Sequence, residues 1–353
     1  MIETINIGTE SYEIWMEHGV LQKIDKWVKN FFSGEKILII TDDAVGAIYL
    51  GDVKERLKQS GYTTFSFVVQ VGEQSKSLGT AEKIYQFLND NTFDRGGLIL
   101  SLGGGVVGDL SGFVASTYQR GISFAQIPTS LLAQVDASIG GKTAVNLPGI
   151  KNSVGTFYQP SGVLIDPVVL TTLKTEAISE GLAEVIKCGM IQDSSILDEM
   201  MDAASFSEIV QEIEKLIIKS IRVKKALVEE DVFDQGMRMK LNFGHTIGHG
   251  IEATLGYGNI THGEAVAIGM VKMNQFAIQK GWTPKDTQAL LIKLLEKVHL
   301  PTDFPKIDLE KVFEAMRHDK KSKSHGVSVV TLDGIGQSRI RSISWEEIKK
   351  SLA

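Results

Sequence analysis

The sequence predicts an α/β chain of two domains, and three observations predict it. At 353 residues the chain exceeds what one small hydrophobic core serves. Up to residue 165, short apolar runs closed by turn residues alternate with helical patterns, as in a buried parallel sheet. Beyond that point nearly every periodic segment has helical spacing. Taken in order, strands are expected at Lys36–Asp42, Thr64–Val71, Gly97–Leu102, Phe124–Ile127 and Val163–Asp166, with helices such as Val53–Gln59 and Ser77–Asn89 between them. The second part predicts helices over Glu176–Ile191, Phe206–Glu230, Arg238–Leu255, Glu264–Lys280, Pro284–Val298 and Leu309–Arg317. Pro301 and Pro305 separate the last two, and Val327–Leu332 is the single late strand expected. No repeat of fixed period and no low-complexity linker interrupts the pattern.

Composition excludes several classes. Hydrophobic residues make up 43% and charged residues 23%, the profile of an ordinary globular protein. A net charge of -6 offers no overall attraction to nucleic acid or to an anionic membrane. A small anionic substrate is compatible with it, because a local lysine cluster outweighs a weak global field. The single cysteine, Cys188, excludes an internal disulfide and a multi-cysteine zinc knuckle. The opening MIETINIGTESYEIW alternates polar and apolar residues without the basic start and apolar centre of a signal peptide, and no apolar run reaches membrane-spanning length. The cytoplasm is the expected location.

Gly103, Gly105 and Gly108 satisfy G-x-G-x-x-G directly after the predicted strand GLILSL and before a helical Leu110–Ala115. Glycines there let the backbone turn tightly and approach a pyrophosphate held on helix amides. The arrangement departs from the usual dinucleotide fingerprint: the motif is not at the first strand, and no ribose-binding acid follows some twenty residues on. Asp42 and Asp43 instead end an earlier strand. A second loop, Gly72-Glu73-Gln74-Ser75-Lys76, reads from spacing alone as a solvated connection capping the helix from Ser77. The Gln134–Asn152 segment sets Asp136, Lys142, Lys151 and Asn152 among glycines. It suits a phosphate or carboxylate pocket, and equally an exposed flexible loop.

Downstream lie metal-type ligands. Glu184 sits mid-helix beside Leu182, Val185 and Ile186, so it faces inward, where a lone carboxylate must be paired or metal-bound. His245 and His249 are four apart and share a helix face, although the glutamate of H-E-x-x-H is missing. His262 precedes Gly263 and Glu264 at a predicted helix start. Glu184, His245 and His262 would leave open positions for substrate and water; the alternative is three unrelated residues, with His249 a core histidine. A nucleotide loop and a divalent metal in one chain together suggest hydride chemistry at a carbon whose oxygen the metal polarises. On this reading residues 1–165 form a Rossmann-like nucleotide-binding domain, and residues 166–353 a mostly helical metal- and substrate-binding domain.

The segments GEQSK, GGGVVGD, TYQRG, IPTSLLAQVDASIGGKTAVN, KNSVGTFYQP, GLAEVIKCG, RMKLNFGHTIGH, HGEAVAIGM and DKK carry a resemblance. Through them the chain resembles the 3-dehydroquinate synthases across nearly its whole length; the wider fold group includes metal-dependent glycerol and alcohol dehydrogenases. The resemblance implies metal ligands at Glu184, His245 and His262, carrying zinc or cobalt. It implies NAD binding at Asp42, Glu73, Lys76, Gly104, Gly105 and Asp109, and further along at Thr129, Ser130, Lys142, Lys151 and Thr172. It implies substrate contact or catalysis at Arg120, Asp136, Lys142, Asn152 and Lys187, and at Lys224, Asp234, Arg238, Asn242 and His249. His249 would be a proton-transfer group rather than a ligand. One lysine of the pair Lys320 and Lys321 belongs as well, with Lys321 favoured, and Arg120 would reach a neighbouring subunit, implying a homodimer. Three positions depart from the family pattern: Ser130 stands where a second threonine is common, Asp234 where a longer glutamate is usual, four residues before Arg238, and Val71 where a small polar or acidic residue is more usual before the GEQ turn.

The reaction so implied takes 3-deoxy-D-arabino-heptulosonate 7-phosphate to 3-dehydroquinate in the shikimate pathway of aromatic amino acid biosynthesis. Transient oxidation by NAD, β-elimination of phosphate, re-reduction and an internal aldol give no net redox change. Lys142, Lys187, Lys224, Arg238 and Lys321 would then hold the two anionic ends of one small molecule. A plain polyol dehydrogenase, a cyclase for another sugar phosphate and a non-catalytic nucleotide module are the competing readings.

Overall fold

The structure, a computed structural model, describes residues 1–256, 258–319 and 326–352. The chain divides into two compact units, Met1–Leu173 and Lys174–Ala353. Each has a core of its own.

The N-terminal unit is built on one twisted sheet. Its strands are β1 (Ile2–Ile7), β2 (Glu10–Met16), β3 (Lys36–Asp42), β4 (Thr63–Val69), β5 (Leu98–Gly103), β6 (Ser123–Pro128) and β9 (Gly162–Ile165), in the order β1-β2-β9-β6-β5-β3-β4. All pairings are parallel except the β1–β2 hairpin, which adds to the β9 edge. Helices α1 (Ile24–Lys29), α2 (Asp43–Val45), α3 (Gly51–Gln59), α4 (Leu78–Asp90) and α5 (Gly105–Thr117) make the connections. Strand β3 shows why its sequence is an unbroken apolar run. Ile37 and Ile39 pack with Trp27, Val53 and Leu57 on one face, while Leu38 and Ile40 pack with Ile84, Leu88 and Leu110 on the other. Burying such side chains contributes about 1.5–3 kcal/mol each.

Within the parallel part, β4-β3-β5-β6-β9, the chain leaves β3 toward one edge and returns through β5 toward the other. The order reverses between β3 and β5. Ligands of open α/β sheets bind at such a switch point, beyond the carboxyl ends of the strands. This accounts for a glycine loop that is not at the first strand: Gly103 ends β5, and Asp42 ends its neighbour β3, one residue past the Thr41–Leu102 pair.

The glycine-rich Gln134–Asn152 segment is not an open loop. It holds a π-helical turn, Ala133–Ala137, and then an antiparallel hairpin of β7 (Lys142–Leu147) and β8 (Ile150–Phe157). Gly149, at φ 77°, makes the tight turn between them. None of the eight β8 residues is buried, so no apolar run advertises the strand.

The C-terminal unit contains α6 (Thr175–Ile191), α7 (Ser195–Asp202), α8 (Phe206–Gln211), α9 (Ile213–Glu230), α10 (His245–Leu255), α11 (His262–Gln279), α12 (Asp286–Lys297), α13 (Leu309–Asp319) and α14 (Trp345–Leu352). Two predicted helices are broken. Phe206–Glu230 divides at Glu212 into α8 and α9. Arg238–Leu255 divides into a 3-10 turn, Met237–Asn242, and α10, because Gly244 takes the left-handed conformation at φ 83°. The late strand β10 (Val327–Gly334) has a partner the sequence reading missed, β11 (Gln337–Ile343), whose residues QSRIRSI are mostly polar.

Helix α10 packs on α11 and α13, and α11 on α6. Glycines set these distances. A Cβ on Gly244 would lie 2.7 Å from the Val266 carbonyl oxygen, and one on Gly269 would lie 2.1 Å from that of Gly244. A Cβ on Gly263 would lie 2.4 Å from the Glu180 carbonyl oxygen. The three helices that carry the ligand candidates therefore meet backbone to backbone.

A candidate metal centre and a candidate nucleotide site

Those contacts place Glu184, from the middle of α6, against His245 and His262, the first residues of α10 and α11. Glu184 Oε1 lies 3.6 Å from His245 Nε2 and 3.7 Å from His262 Nε2, and the three donor atoms fit within one cluster. Glu184 is 1% exposed; Oε1 is buried without a hydrogen bond, and Oε2 meets the equally buried Lys187 ammonium in an ion pair. A buried carboxylate oxygen of this kind is costly unless something positive occupies the space it faces. Two imidazoles and one carboxylate around that space suit zinc or cobalt.

Both imidazoles are fixed from behind. His245 Nδ1 lies 3.2 Å from the Phe243 carbonyl oxygen, and His262 Nδ1 lies 3.2 Å from Glu252 Oε2. Burial acts to lower the proton affinity of His262, but pairing with Glu252 and the nearby Glu184 charge outweigh it and raise it. The start of α11 is a capping box: Thr261 Oγ1 accepts from the Glu264 N–H at 3.2 Å, and Glu264 Oε2 accepts from the Thr261 N–H at 2.8 Å. Glu180, one turn before Glu184, accepts from the His262 backbone N–H, and burial pushes its carboxyl above the usual range. His249 lies on the same face of α10, its ring 5.4 Å from that of His245 and 5.9 Å from that of His262.

Cationic and amide groups line the same unit. Lys224, on α9, and Arg238, on the 3-10 turn, are buried at 6% and 1% exposure. Asn242 ends that turn. Asp231 organises the preceding loop: its carboxylate accepts from the backbone N–H groups of Gln235 (3.1 Å), Gly236 (2.6 Å) and Arg238 (3.2 Å). Desolvation acts against that charge, but the three N–H groups outweigh it and hold the Asp231 carboxyl below the usual range. Asp234 stands inside this loop at φ 56°, and Arg238 Nη1 donates to the Val232 carbonyl at 2.7 Å. Lys321 lies outside the described residues.

In the N-terminal unit, Gly104 caps α5, so the first amides of that helix open beyond β5. No residue from Gly103 to Gly108 has positive φ; the glycines serve close approach, since a Cβ on Gly108 would lie 2.7 Å from Gln126 Oε1. Asp42 caps α2 by accepting from the Val45 N–H at 2.8 Å. Thr129 donates its N–H to the Gly103 carbonyl at 3.0 Å, and Ser130 Oγ accepts from the Ala133 N–H at 3.2 Å.

The structure also draws four predicted residues into one network. Glu73 Oε1 accepts from Asn146 Nδ2 at 2.8 Å, Asn146 Oδ1 accepts from the Asn152 N–H at 2.9 Å, and the Lys76 ammonium bonds both Asn152 and Asp109. The Glu73–Lys76 loop is thus no solvated connection; Lys76 is 4% exposed. Lys142 and Lys151 lie on the β7–β8 hairpin and Asp136 on the turn before it. Thr172 Oγ1 is 3.0 Å from the Tyr49 hydroxyl. Arg120 stands apart, with Gln119, in a left-handed turn at φ 66° and 50°. Sequence reasoning missed Glu180, Asp231, Glu252 and Asn146 as site residues. Only the placement of Glu252 seven residues after His245, two helical turns along one face, gave any signal.

The chain joins a switch-point nucleotide fold to a group of two histidines and one glutamate, and its fold is that of solved sugar phosphate cyclases and, in fold alone, of alcohol dehydrogenases. Among solved structures the chain resembles 2-deoxy-scyllo-inosose synthase complexed with carbaglucose-6-phosphate, NAD+ and Co2+, with a TM-score of 0.90 and 25% identity over 100% of this chain and 99% of that one. Glycerol dehydrogenase from Schizosaccharomyces pombe shares the fold alone, with a TM-score of 0.66 and 17% identity over 96% of this chain and 87% of that one. Family models described as 3-dehydroquinate synthase N-terminal and C-terminal match residues 66–180 and 181–322. Curated 3-dehydroquinate synthases from Enterococcus faecalis and Streptococcus mutans are 45% and 47% identical to it over 349 residues, 99% of this chain and 98% of each relative. The chain belongs to the 3-dehydroquinate synthase family.

Proposed function

We propose that the chain converts 3-deoxy-D-arabino-heptulosonate 7-phosphate to 3-dehydroquinate and inorganic phosphate, the lyase reaction of its family in the shikimate pathway. The observation that carries this reading is the buried Glu184 carboxylate facing two imidazoles whose outer nitrogens are already engaged. Full-length similarity to curated 3-dehydroquinate synthases supports the choice of reaction over a simple dehydrogenation.

When bound, NAD supplies a reversible hydride acceptor and a divalent zinc or cobalt ion supplies a Lewis acid for the reacting oxygen. Glu184, His245 and His262 hold the ion. The amides at the start of α5, with Gly104 and Gly105, would take the cofactor pyrophosphate, Asp109 on the same helix holds the Lys76 ammonium, and Asp42 at the neighbouring strand end would take the cofactor ribose. Lys224, Arg238 and Asn242 grip an anionic, oxygen-rich substrate. Lys224 and Arg238, buried in advance, order it at little further entropic cost. His249 faces the centre as the proton-transfer group, and Lys187 neutralises Glu184. The family resemblance at Tyr118–Gly121 supports a homodimer, with Arg120 offered to the other copy. The cytoplasm is the setting this chemistry fits; among the described residues no helix is long and apolar enough to cross a membrane.

The test incubates the protein with the heptulosonate phosphate, NAD and zinc, following phosphate release, NADH absorbance and product by NMR. Phosphate and 3-dehydroquinate without net NADH are expected. Accumulating NADH would make the chain a dehydrogenase, and neither signal would make it a binding module.

A further inference from the structure

His262 meets the centre through Nε2, while its Nδ1 lies 3.2 Å from Glu252 Oε2. Glu252 is on α10, two turns after His245, and is 6% exposed. A neutral imidazole carries one ring proton. A carboxylate beside Nδ1 draws the proton there, as N–H···O⁻, and leaves the Nε2 lone pair aimed at the space bounded by Glu184 and His245. His245 is oriented in the same sense, but by a neutral acceptor, the Phe243 carbonyl. The two ligand imidazoles therefore have unlike supports, one a dipole and one a buried anion.

Donor atoms of His249, Glu252 and His262 also lie within 4.8 Å of one another, a grouping that could take a cation of its own. Proton counting decides against it. If His262 Nε2 serves the first cluster, its Nδ1 keeps the proton and has no lone pair to give to a second ion.

We propose that Glu252 is a positioning residue of the metal centre. It fixes the tautomer and ring plane of His262 and strengthens Nε2 as a donor, and so sets how tightly the divalent ion is held. This rests on the reading of Glu184, His245 and His262 as the metal ligands.

The experiment titrates dialysed full-length protein with Zn2+ and with Co2+, comparing the parent with Glu252→Gln, Glu252→Asp and Glu252→Ala. One ion per chain is expected in the parent. Glu252→Gln, close in shape but uncharged, should bind about 10–100-fold more weakly, lose metal faster to a chelator and show an altered Co2+ visible spectrum. Glu252→Asp should recover part of the affinity. The metal-free Glu252→Gln protein should keep the circular dichroism and melting midpoint of the metal-free parent, which separates positioning from plain structural support. Parent-like affinity and Co2+ spectrum in Glu252→Gln would overturn the proposal, as would a matching loss of metal-free stability. Two ions per parent chain, with one lost in Glu252→Gln, would replace it with a second cation site. A parent that binds no ion would fail at the ligand assignment itself, a different result from a parent that binds and a variant that is unaffected.

Discussion

Single side chains define what the centre needs. His262→Ala removes one of the three proposed protein ligands, so metal affinity should fall by more than the roughly 10–100-fold typical of outer-shell partners, and turnover should vanish. Full activity at normal metal content would remove His262 from the centre. Asp231 makes a different claim. Its carboxylate collects three backbone N–H groups and so shapes the loop that presents Asp234 and Arg238. A hydrogen bond to a charged group contributes about 1.5–3 kcal/mol, and if the equivalent of one such bond reaches the transition state, Asp231→Ala should lower kcat/KM for the heptulosonate roughly ten- to a hundredfold, with NAD and metal affinity unchanged. Because the Asp231 carboxyl is held below its ordinary value, its contribution is complete above the unfolded value and is lost only as pH falls through the lower folded one. Activity near neutrality should therefore show no inflection from this group. An Asp231→Ala protein that loses NAD binding equally would mean that the loop is not its point of action.

At the scale of elements, helix contacts made through glycine hold the ligands in place. Gly263→Ala would set a methyl group 2.4 Å from the Glu180 carbonyl oxygen and force the start of α11 away from α6. Overpacking of this kind costs about 1–3 kcal/mol, and here it should also weaken metal binding, since His262 precedes the glycine. Gly79→Ala is the matched control. That residue sits in α4 with nothing within 4 Å of the added carbon, so the change should be neutral or stabilise by about 0.5–1 kcal/mol. If both substitutions leave metal affinity and melting midpoint untouched, close approach is not what positions His262.

Elements also show how much was legible in the sequence. Strands β3, β5 and β6 were readable because burial on both faces leaves a nearly continuous apolar run, broken only by the buried Ser101 in β5 and Gln126 in β6, and Glu184 because it stands inside an apolar helix stripe. The β7–β8 hairpin was not, since Gly140, Gly141 and Pro148-Gly149 read as loop and the strands expose much of their surface. The break before α10 was hidden too. Its cause is Gly244 meeting Val266 and Met270, more than twenty residues further along, a contact outside any local window. Glu252 escaped because its partner, His262, stands on the next helix, and Asp231 because it works inside a loop, where no periodicity marks a side chain that gathers neighbouring N–H groups.

For the whole molecule, the ligand candidates all lie in the C-terminal unit and the switch point in the N-terminal one. Each ligand stabilises the state that binds it by mass action. Hydrogen exchange should therefore respond in two places: zinc added to metal-free protein should protect peptides of α6, α10 and α11, and NAD should protect the β5–α5 segment. Zinc protection confined to the N-terminal sheet would contradict the ligand assignment.

The two imidazoles share a feature with its own consequence: each is the opening residue of its helix. A helix start leans toward positive charge, equivalent to roughly half an elementary unit, and the Lys187 ammonium stands on the same side. A divalent ion held by Glu184, His245 and His262 would enter against that field, with the Glu252 carboxylate behind His262 as a counterweight. The residues around it would leave it part of its charge to offer a substrate oxygen.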